Sequence, residues 1–169
     1  MHPMATQPED MPSAAIDEYY QGIEHLLLEM LDAVRGEVTA TEPAAALREF
    51  VRAHVRWRLE HLETAEAFDV VLGDRARVYS LPAEHQRRVR SLKRLYLEEL
   101  RGILREGARK GVFTFGDLRI TAFAIASLCS SVHDWYDPDG RLTPAQVGAM
   151  YAEYVAGMVH SPPAGCGHR

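Results

Sequence analysis

Four neighbouring side chains in the second half of the chain have the chemical types that nucleophilic catalysis uses: Ser130, Ser131, His133 and Asp134. The pattern around them predicts one continuous helix, and neighbours so close on a helix cannot align a nucleophile, a base and an orienting acid. The sequence also lacks Glu-x-x-His, His-Glu-x-x-His, Gly-x-x-x-x-Gly-Lys and Gly-x-Ser-x-Gly. We therefore expect no enzyme and no cofactor.

Two histidines have the chemistry for metal binding. His54 and His61 are seven residues apart on a predicted helix, so they share a face, and Arg58 lies between them. A metal site needs at least one further ligand, and no residue is spaced to supply it. The sequence favours a core or pocket position for His54 and a surface position for His61. A small helical metal protein or enzyme that uses both histidines stays open as an alternative.

Aromatic residues are spread over several predicted helices, where they could fill a core or line a cavity for an apolar ligand. In the second case, His54 or Arg58 would fix the orientation of the ligand. The pattern alone favours a filled core, with the ligand cavity as the alternative. The candidate ligand-binding residues are Phe50, His54, Trp57, Phe68, Tyr96 and Phe123.

The predicted elements that position these side chains are helices, because apolar residues recur every three or four positions along the chain. No apolar segment of the strand type is long enough to support a sheet. The predicted helices cover about residues 13–35, 43–62, 64–72, 80–111, 117–136 and 143–160. Start signals are Pro43, Asp117 and a capping box at Thr143, and stop signals are Gly36 and Gly111. The sequence therefore predicts an all-α bundle of about six helices.

The last two predicted helices carry more apolar surface than a small monomer readily covers. The fifth is apolar nearly all round, and the sixth has one large apolar face and one face of small residues. Two interpretations are equally compatible with this pattern: a dimer interface, or two core helices of a monomeric bundle. The candidate interface residues are Phe123, Val132, Val147, Met150, Tyr151, Tyr154 and Met158.

Length and composition indicate an ordinary globular protein of 169 residues with a net charge of −5. We interpret residues 1–12 as a disordered leader, residues 13–160 as one domain and residues 161–169 as a flexible tail. No secretory signal or membrane span is visible, and two cysteines do not make a disulfide framework. These features predict a cytoplasmic location without membrane contact.

Basic residues along the fourth predicted helix form a stripe away from its apolar face. Its members are Arg87, Arg94, Arg101 and Arg105. The stripe is either a solvent-exposed face or a binding site for an anionic group, such as a phosphate on a bound ligand or a partner's acidic surface.

From about residue 15 to residue 160, the chain resembles the C-terminal ligand-binding and dimerisation domain of TetR-type transcriptional regulators. The most specific part is Gly-Ala-Arg-Lys-Gly-Val-Phe at residues 107–113, followed by Trp-Tyr-Asp-Pro-Asp-Gly-Arg-Leu-Thr-Pro at residues 135–144. The resemblance implies a homodimer whose two final helices form a four-helix bundle with their mates. It also implies a cavity for a hydrophobic effector, such as an acyl-CoA or another lipid-derived metabolite.

The front of the chain differs from that family's pattern. Tyr19-Tyr20 and Glu24-His25-Leu26-Leu27 resemble the junction that follows the family's helix-turn-helix head, yet only 18 residues precede Tyr19. Three helices and their turns need roughly 40 residues. We therefore expect the DNA-binding head to be absent, with DNA contacted only if a longer form or a partner supplies one. A headless protein that forms mixed dimers with full-length regulators is an alternative function.

Overall fold

The computed structural model describes residues 13–64 and 83–160, and these residues form helices joined by short connections without any strand. The five α-helices are α1 (Ser13–Glu37), α2 (Pro43–Glu60), α3 (Ala83–Arg109), α4 (Leu118–Ser130) and α5 (Pro144–His160). A short 3-10 helix (Ser131–Asp134) follows α4. The predicted all-α fold is confirmed, whereas the predicted leader, the tail and the helix at residues 64–72 fall largely outside the described residues.

Local signals account for three of the helix ends. The Asp117 carboxylate accepts a hydrogen bond from the amide of Ile120 at 2.8 Å and so caps α4. The predicted capping box of α5 is present, since the amide of Gln146 donates to the Thr143 hydroxyl and the Thr143 amide donates to the Gln146 side chain. Gly111, with a φ of 71°, ends the turn after α3.

Two predicted boundaries were wrong. Helix α1 continues through Gly36 to Glu37, because Gly36 has no positive φ that would turn the chain. The α-helix predicted to reach Tyr136 ends at Ser130 instead, and the chain continues as the 3-10 helix. There the Ser130 carbonyl accepts a hydrogen bond at 3.0 Å from the Arg58 guanidinium on α2, a partner from outside the helix.

Helix α2 is the centre of the bundle, and it packs against α1, α3, α4 and α5. Its contact with α5 is the most extensive and the backbones approach closely, since a Cβ atom at Gly148 would lie 3.1 Å from the carbonyl oxygen of Arg52. Arg48 on α2 forms an ion pair with Glu153 on α5, with Nε and Oε1 2.9 Å apart. No described helix is both long and apolar enough to cross a bilayer.

Polar side chains join α1 to α3 at two places, one near the start of α3 and one near the C-terminal end of α1. The His85 ring on α3 lies between two carboxylates of α1, with Nδ1 3.1 Å from Glu24 and Nε2 3.2 Å from Asp17. Burial lowers the pKa of His85, but the hydrogen bonds to Glu24 and Asp17 outweigh that effect and raise it overall. At the other end, Arg35 contacts Glu99 at 2.6 Å. Helices α1 and α3 are therefore connected at two separate points.

Candidate functional site

A cavity of about 260 Å³ lies among α1, α2, α3 and α4. This volume is somewhat smaller than the range of about 300–1,000 Å³ that small-molecule sites occupy. Most of its walls are apolar, and a few polar groups interrupt them. The lining residues are Leu27, Met30, Leu31, His54, Arg58, Leu92, Lys93, Tyr96, Leu97, Phe123, Ala126, Ser127 and Ser130.

Helical spacing explains how each wall is built. On α1, Leu27, Met30 and Leu31 are three and four residues apart and so lie on one face. On α4, Phe123 and Ala126 show the same spacing. Phe123 is 57% exposed and Lys93 is also exposed, so the cavity opens to solvent between α3 and α4.

A histidine and a tyrosine form a polar pair in the cavity wall. His54 is 1% exposed, and its Nδ1 lies 2.6 Å from the hydroxyl oxygen of Tyr96. The other ring nitrogen, Nε2, is buried and has no hydrogen-bond partner in the described part of the chain. Since a neutral imidazole has one donor and one acceptor nitrogen, donation from the Tyr96 hydroxyl to Nδ1 places the ring proton on Nε2.

Burial sets the charge state of this pair. Loss of solvation, together with the positive charge of Arg58, lowers the pKa of His54 to about 3. Burial and the neighbouring Cys129 thiol raise the pKa of Tyr96 well above its usual value. His54 is therefore a neutral imidazole and Tyr96 a neutral phenol at physiological pH, so the pair supplies dipoles rather than charge.

Arg58 places a buried cation on the same wall. Arg58 is only 3% exposed, and its guanidinium donates a hydrogen bond to the Ser130 carbonyl at the end of α4. A buried guanidinium is fixed in place when its donors find oxygen acceptors. Arg58 thus holds the last turn of α4 against α2 and contributes positive charge to the cavity.

Three of the six predicted ligand-binding residues line the cavity: His54, Tyr96 and Phe123. Phe50 lies behind the wall, buried, with its ring centroid 5.2 Å from that of Tyr96. Trp57 is also buried and stacks on His61, with 4.3 Å between the ring centroids. Phe68 lies outside the described residues.

Sequence reasoning missed the contribution of α1 and of Lys93 to the cavity. The signal for Lys93 was present, because Val89 and Tyr96, four residues before it and three after it, belong to the apolar face of α3. A lysine on that face indicates an opening in the core. None of the four arginines of the predicted basic stripe lines this cavity, and Arg101 pairs with Glu98 at 2.7 Å.

The predicted dimer residues fall into two groups. Phe123, Met150, Tyr154 and Met158 are exposed, and so is Ile120, which the sequence analysis did not include and which lies three residues before Phe123 on α4. By contrast, Val132, Val147 and Tyr151 are buried by the chain itself. The Tyr151 hydroxyl accepts a hydrogen bond from the Trp135 indole at 2.9 Å, which joins the segment after α4 to α5.

The histidines of the metal alternative do not meet. The His54 ring is paired with Tyr96, while the His61 ring bonds the carbonyl of Trp57 at 2.8 Å. Across residues 13–64 and 83–160, no group of three or more His, Cys, Asp or Glu side chains is arranged to hold a metal ion. Cys129 is fully buried, and burial raises the pKa of its thiol to about 12, so it is an unreactive core residue.

Comparison with protein families places residues 40–159 in the tetracyclin repressor-like, C-terminal domain model. A comparison with curated proteins finds no match. Among solved structures, the chain is similar to the TetR family transcriptional regulator PfmR from Thermus thermophilus, with 25% identity and a TM-score of 0.71. That alignment covers 90% of this chain and 88% of PfmR.

Two other structures share the fold at lower identity. The ketosteroid transcriptional regulator KstR2 of Mycobacterium tuberculosis is 20% identical, with a TM-score of 0.72 over 86% of this chain and 72% of that one. AibR, solved in complex with isovaleryl coenzyme A and operator DNA, is also 20% identical. Its TM-score is 0.61 over 85% of this chain and 75% of AibR.

Proposed function

Because the chain belongs to the tetracyclin repressor-like C-terminal domain family of TetR regulators, we propose that it is a dimeric sensor of a hydrophobic small molecule. The observation that carries this proposal is the cavity among α1, α2, α3 and α4, whose walls are mostly apolar. Apolar walls with a few convergent polar groups are the usual form of a small-molecule site. An acyl-CoA is one candidate effector, since AibR was solved with isovaleryl coenzyme A.

Helix α1 would transmit the signal of ligand binding. It supplies Leu27, Met30 and Leu31 to the cavity wall and is joined to α3 through His85 and Arg35. An effector acts by binding one conformation of a protein more tightly than another. A ligand that binds more tightly when α3 is in one position would therefore favour that position, and α1 would move with α3. A DNA-reading unit, in a longer form or in a partner, would be controlled through α1.

The effector proposal is tested by extracting the purified, natively expressed protein and analysing the extract by mass spectrometry. We expect one hydrophobic small molecule per chain. Ala126→Phe places a ring in the cavity, so the folded variant should retain little of this molecule. Ala108→Phe makes the same change at an exposed position of α3 and should retain it fully. Equal occupancy in a folded Ala126→Phe protein would contradict the proposal.

The homodimer proposal is supported by exposed apolar side chains on α4 and α5. Ile120 is 71% exposed and Tyr154 60%, and Phe123, Met150 and Met158 are exposed with them. Large exposed apolar side chains in one region are typical of an interaction surface. We propose that α4 and α5 pair with their mates in a four-helix bundle.

Light scattering at micromolar concentration tests this interface. We expect a mass of twice the 19.0 kDa chain, and Tyr154→Glu should shift it towards a single chain. Leu95→Glu is the matched control, because Leu95 is 45% exposed on α3. A wild-type monomer, or a Tyr154→Glu protein that stays dimeric, would refute the proposed interface.

A further inference from the structure

A cluster of charged side chains lies between the start of α3 and the first turns of α1, outside the cavity lining. His85 is 7% exposed and Glu24 9%. Both nitrogens of the His85 ring face carboxylates of α1, with Nδ1 3.1 Å from Oε1 of Glu24 and Nε2 3.2 Å from Oδ1 of Asp17. The Tyr20 ring packs against the imidazole, with 5.3 Å between the ring centroids. Because Asp17 and Glu24 are seven residues apart on one face of α1, a single ring contacts two successive turns of that helix.

The number of protons on the His85 ring decides how many of these hydrogen bonds can form. An ionised carboxylate only accepts hydrogen bonds, whereas a neutral imidazole has one donor nitrogen and one nitrogen with a lone pair. Both contacts are hydrogen bonds only when each ring nitrogen carries a proton, which makes the ring an imidazolium. After the loss of one proton, a lone pair faces a carboxylate oxygen, and that contact becomes repulsive.

The surroundings decide which carboxylate is released. Glu24 is held a second time, because its Oε2 lies 3.2 Å from the guanidinium of Arg88. The side chain of Asp17 is 52% exposed and can exchange its contact with the ring for water. Loss of the proton therefore leaves the hydrogen bond between Nδ1 and Glu24 in place and breaks the contact between Nε2 and Asp17.

The charged groups around His85 come from both helices. Burial lowers the pKa of His85, but the hydrogen bonds and negative charges of Glu24 and Asp17 on α1 raise it overall. Helix α3 contributes Arg88 and Glu84, which pair with each other at 3.3 Å, and Arg88 reaches the ring's partner Glu24. The stabilisation is complete below pH 6.5 and is lost as the pH rises through the pKa of the folded state.

We propose that His85 forms a proton-dependent link between α1 and α3: the protonated ring holds the first turns of α1 on the start of α3, and loss of one proton releases Asp17 and the turn that carries it. Helix α1 then responds to pH near its start, while Leu27, Met30 and Leu31 further along it line the cavity. The inference goes beyond the proposed function, because the link works without any effector in the cavity.

Electron paramagnetic resonance of a nitroxide label at position 18 tests the link in the full chain. Glu18→Cys in a Cys166→Ser background places the label on an exposed residue beside Asp17, while burial protects Cys129. We expect the mobile fraction of the spectrum to rise between pH 6 and pH 9. Its midpoint should lie above 6.5 and coincide with the midpoint of the His85 ring resonances in NMR. Equal spectra at both pH values, or a midpoint that differs from that of His85, would overturn the proposal.

Asp17→Asn distinguishes the proton-dependent link from a purely structural contact. An amide both donates and accepts hydrogen bonds, so the new side chain can bond the ring in either protonation state. The label in this variant should stay immobile at both pH values, although His85 still titrates. A pH response that persists in Asp17→Asn would contradict the proposed release.

His25→Gln is the matched control on the same helix. His25 also pairs with a glutamate, since its Nε2 lies 3.2 Å from Glu29, but this pair lies within α1 and the His25 side chain is 72% exposed. The variant should keep the full pH response of the label, whereas His85→Gln should abolish it. Loss of the response in His25→Gln, or its persistence in His85→Gln, would show that another titrating group is responsible.

Discussion

Replacing His54 by leucine should change how the stability of the protein depends on pH. His54 is buried with a pKa of about 3, whereas the same side chain in the unfolded chain titrates near 6.5. Between these two values, the unfolded chain binds a proton that the folded chain does not. His54 therefore lowers the free energy of unfolding as the pH falls below 6.5, and this loss is largest near pH 3.

The two pKa values set the size of the effect. Between pH 7.5 and pH 5, protonation of His54 in the unfolded chain lowers the free energy of unfolding by about 2 kcal/mol. His54→Leu removes this contribution but also leaves the Tyr96 hydroxyl without its acceptor, so the variant should be less stable at pH 7.5. The stability difference between wild type and variant should then shrink by about 2 kcal/mol on going to pH 5.

Urea denaturation followed by far-ultraviolet circular dichroism, at equal protein concentrations and at both pH values, measures this difference. Groups that titrate elsewhere affect wild type and variant equally, so their contributions cancel in the difference between the two free energies of unfolding. That cancellation matters for His85, whose raised pKa acts oppositely: its stabilisation is complete below pH 6.5 and is lost as the pH rises through its folded pKa. A stability gap that stays constant between pH 7.5 and pH 5 would refute the conclusion that His54 is held neutral by burial.

Three further predictions concern other parts of the chain. Glu24→Gln should lower the pKa of His85, measured from its ring resonances by NMR, and should destabilise the protein more at pH 6 than at pH 9, because the lost carboxylate favours the imidazolium; an unchanged His85 titration would contradict this. Gly107→Ala should destabilise the protein by about 1–2 kcal/mol in urea denaturation, since the new methyl group overlaps the buried Phe113 ring. Gly102→Ala, where the added carbon meets open space on the same helix, should instead stabilise it by about 0.5–1 kcal/mol, and equal effects at the two glycines would be inconsistent with this packing. In a Cys166→Ser background, Cys129 should not react with a thiol reagent at pH 8 until guanidinium unfolds the chain, and rapid reaction of the native protein would show that the thiol is accessible.

Sequence reasoning succeeded where structure is set by neighbours in the chain. The all-α fold, the Thr143 capping box and the turn at Gly111 all depend on residues within one or two helical turns of one another. The predicted end of α4 was wrong. The Ser130 carbonyl at its actual end bonds the nearby His133 ring and also accepts a hydrogen bond from Arg58, 72 residues earlier in the chain. Local patterns contain no information about such a partner.

The candidate site was predictable in part for the same reason. Periodicity identifies the apolar face of a helix, but the rotation of that face relative to its neighbours decides which residues reach a cavity. Phe50 and His54 are both buried on α2, yet only His54 lines the cavity. Lys93 breaks the apolar face of α3, and a search for interruptions of such faces would have found it.

The close approach of α2 and α5 has a mechanical consequence. With the Gly148 backbone against the carbonyl of Arg52, and Arg48 paired with Glu153, these two helices cannot slide past each other without steric collision. Helix α2, which supplies His54 and Arg58 to the cavity wall, is thus held against α5 on its other side. Any adjustment to the proposed effector would then fall on α1, α3 and α4, while α2 and α5 keep their relative position.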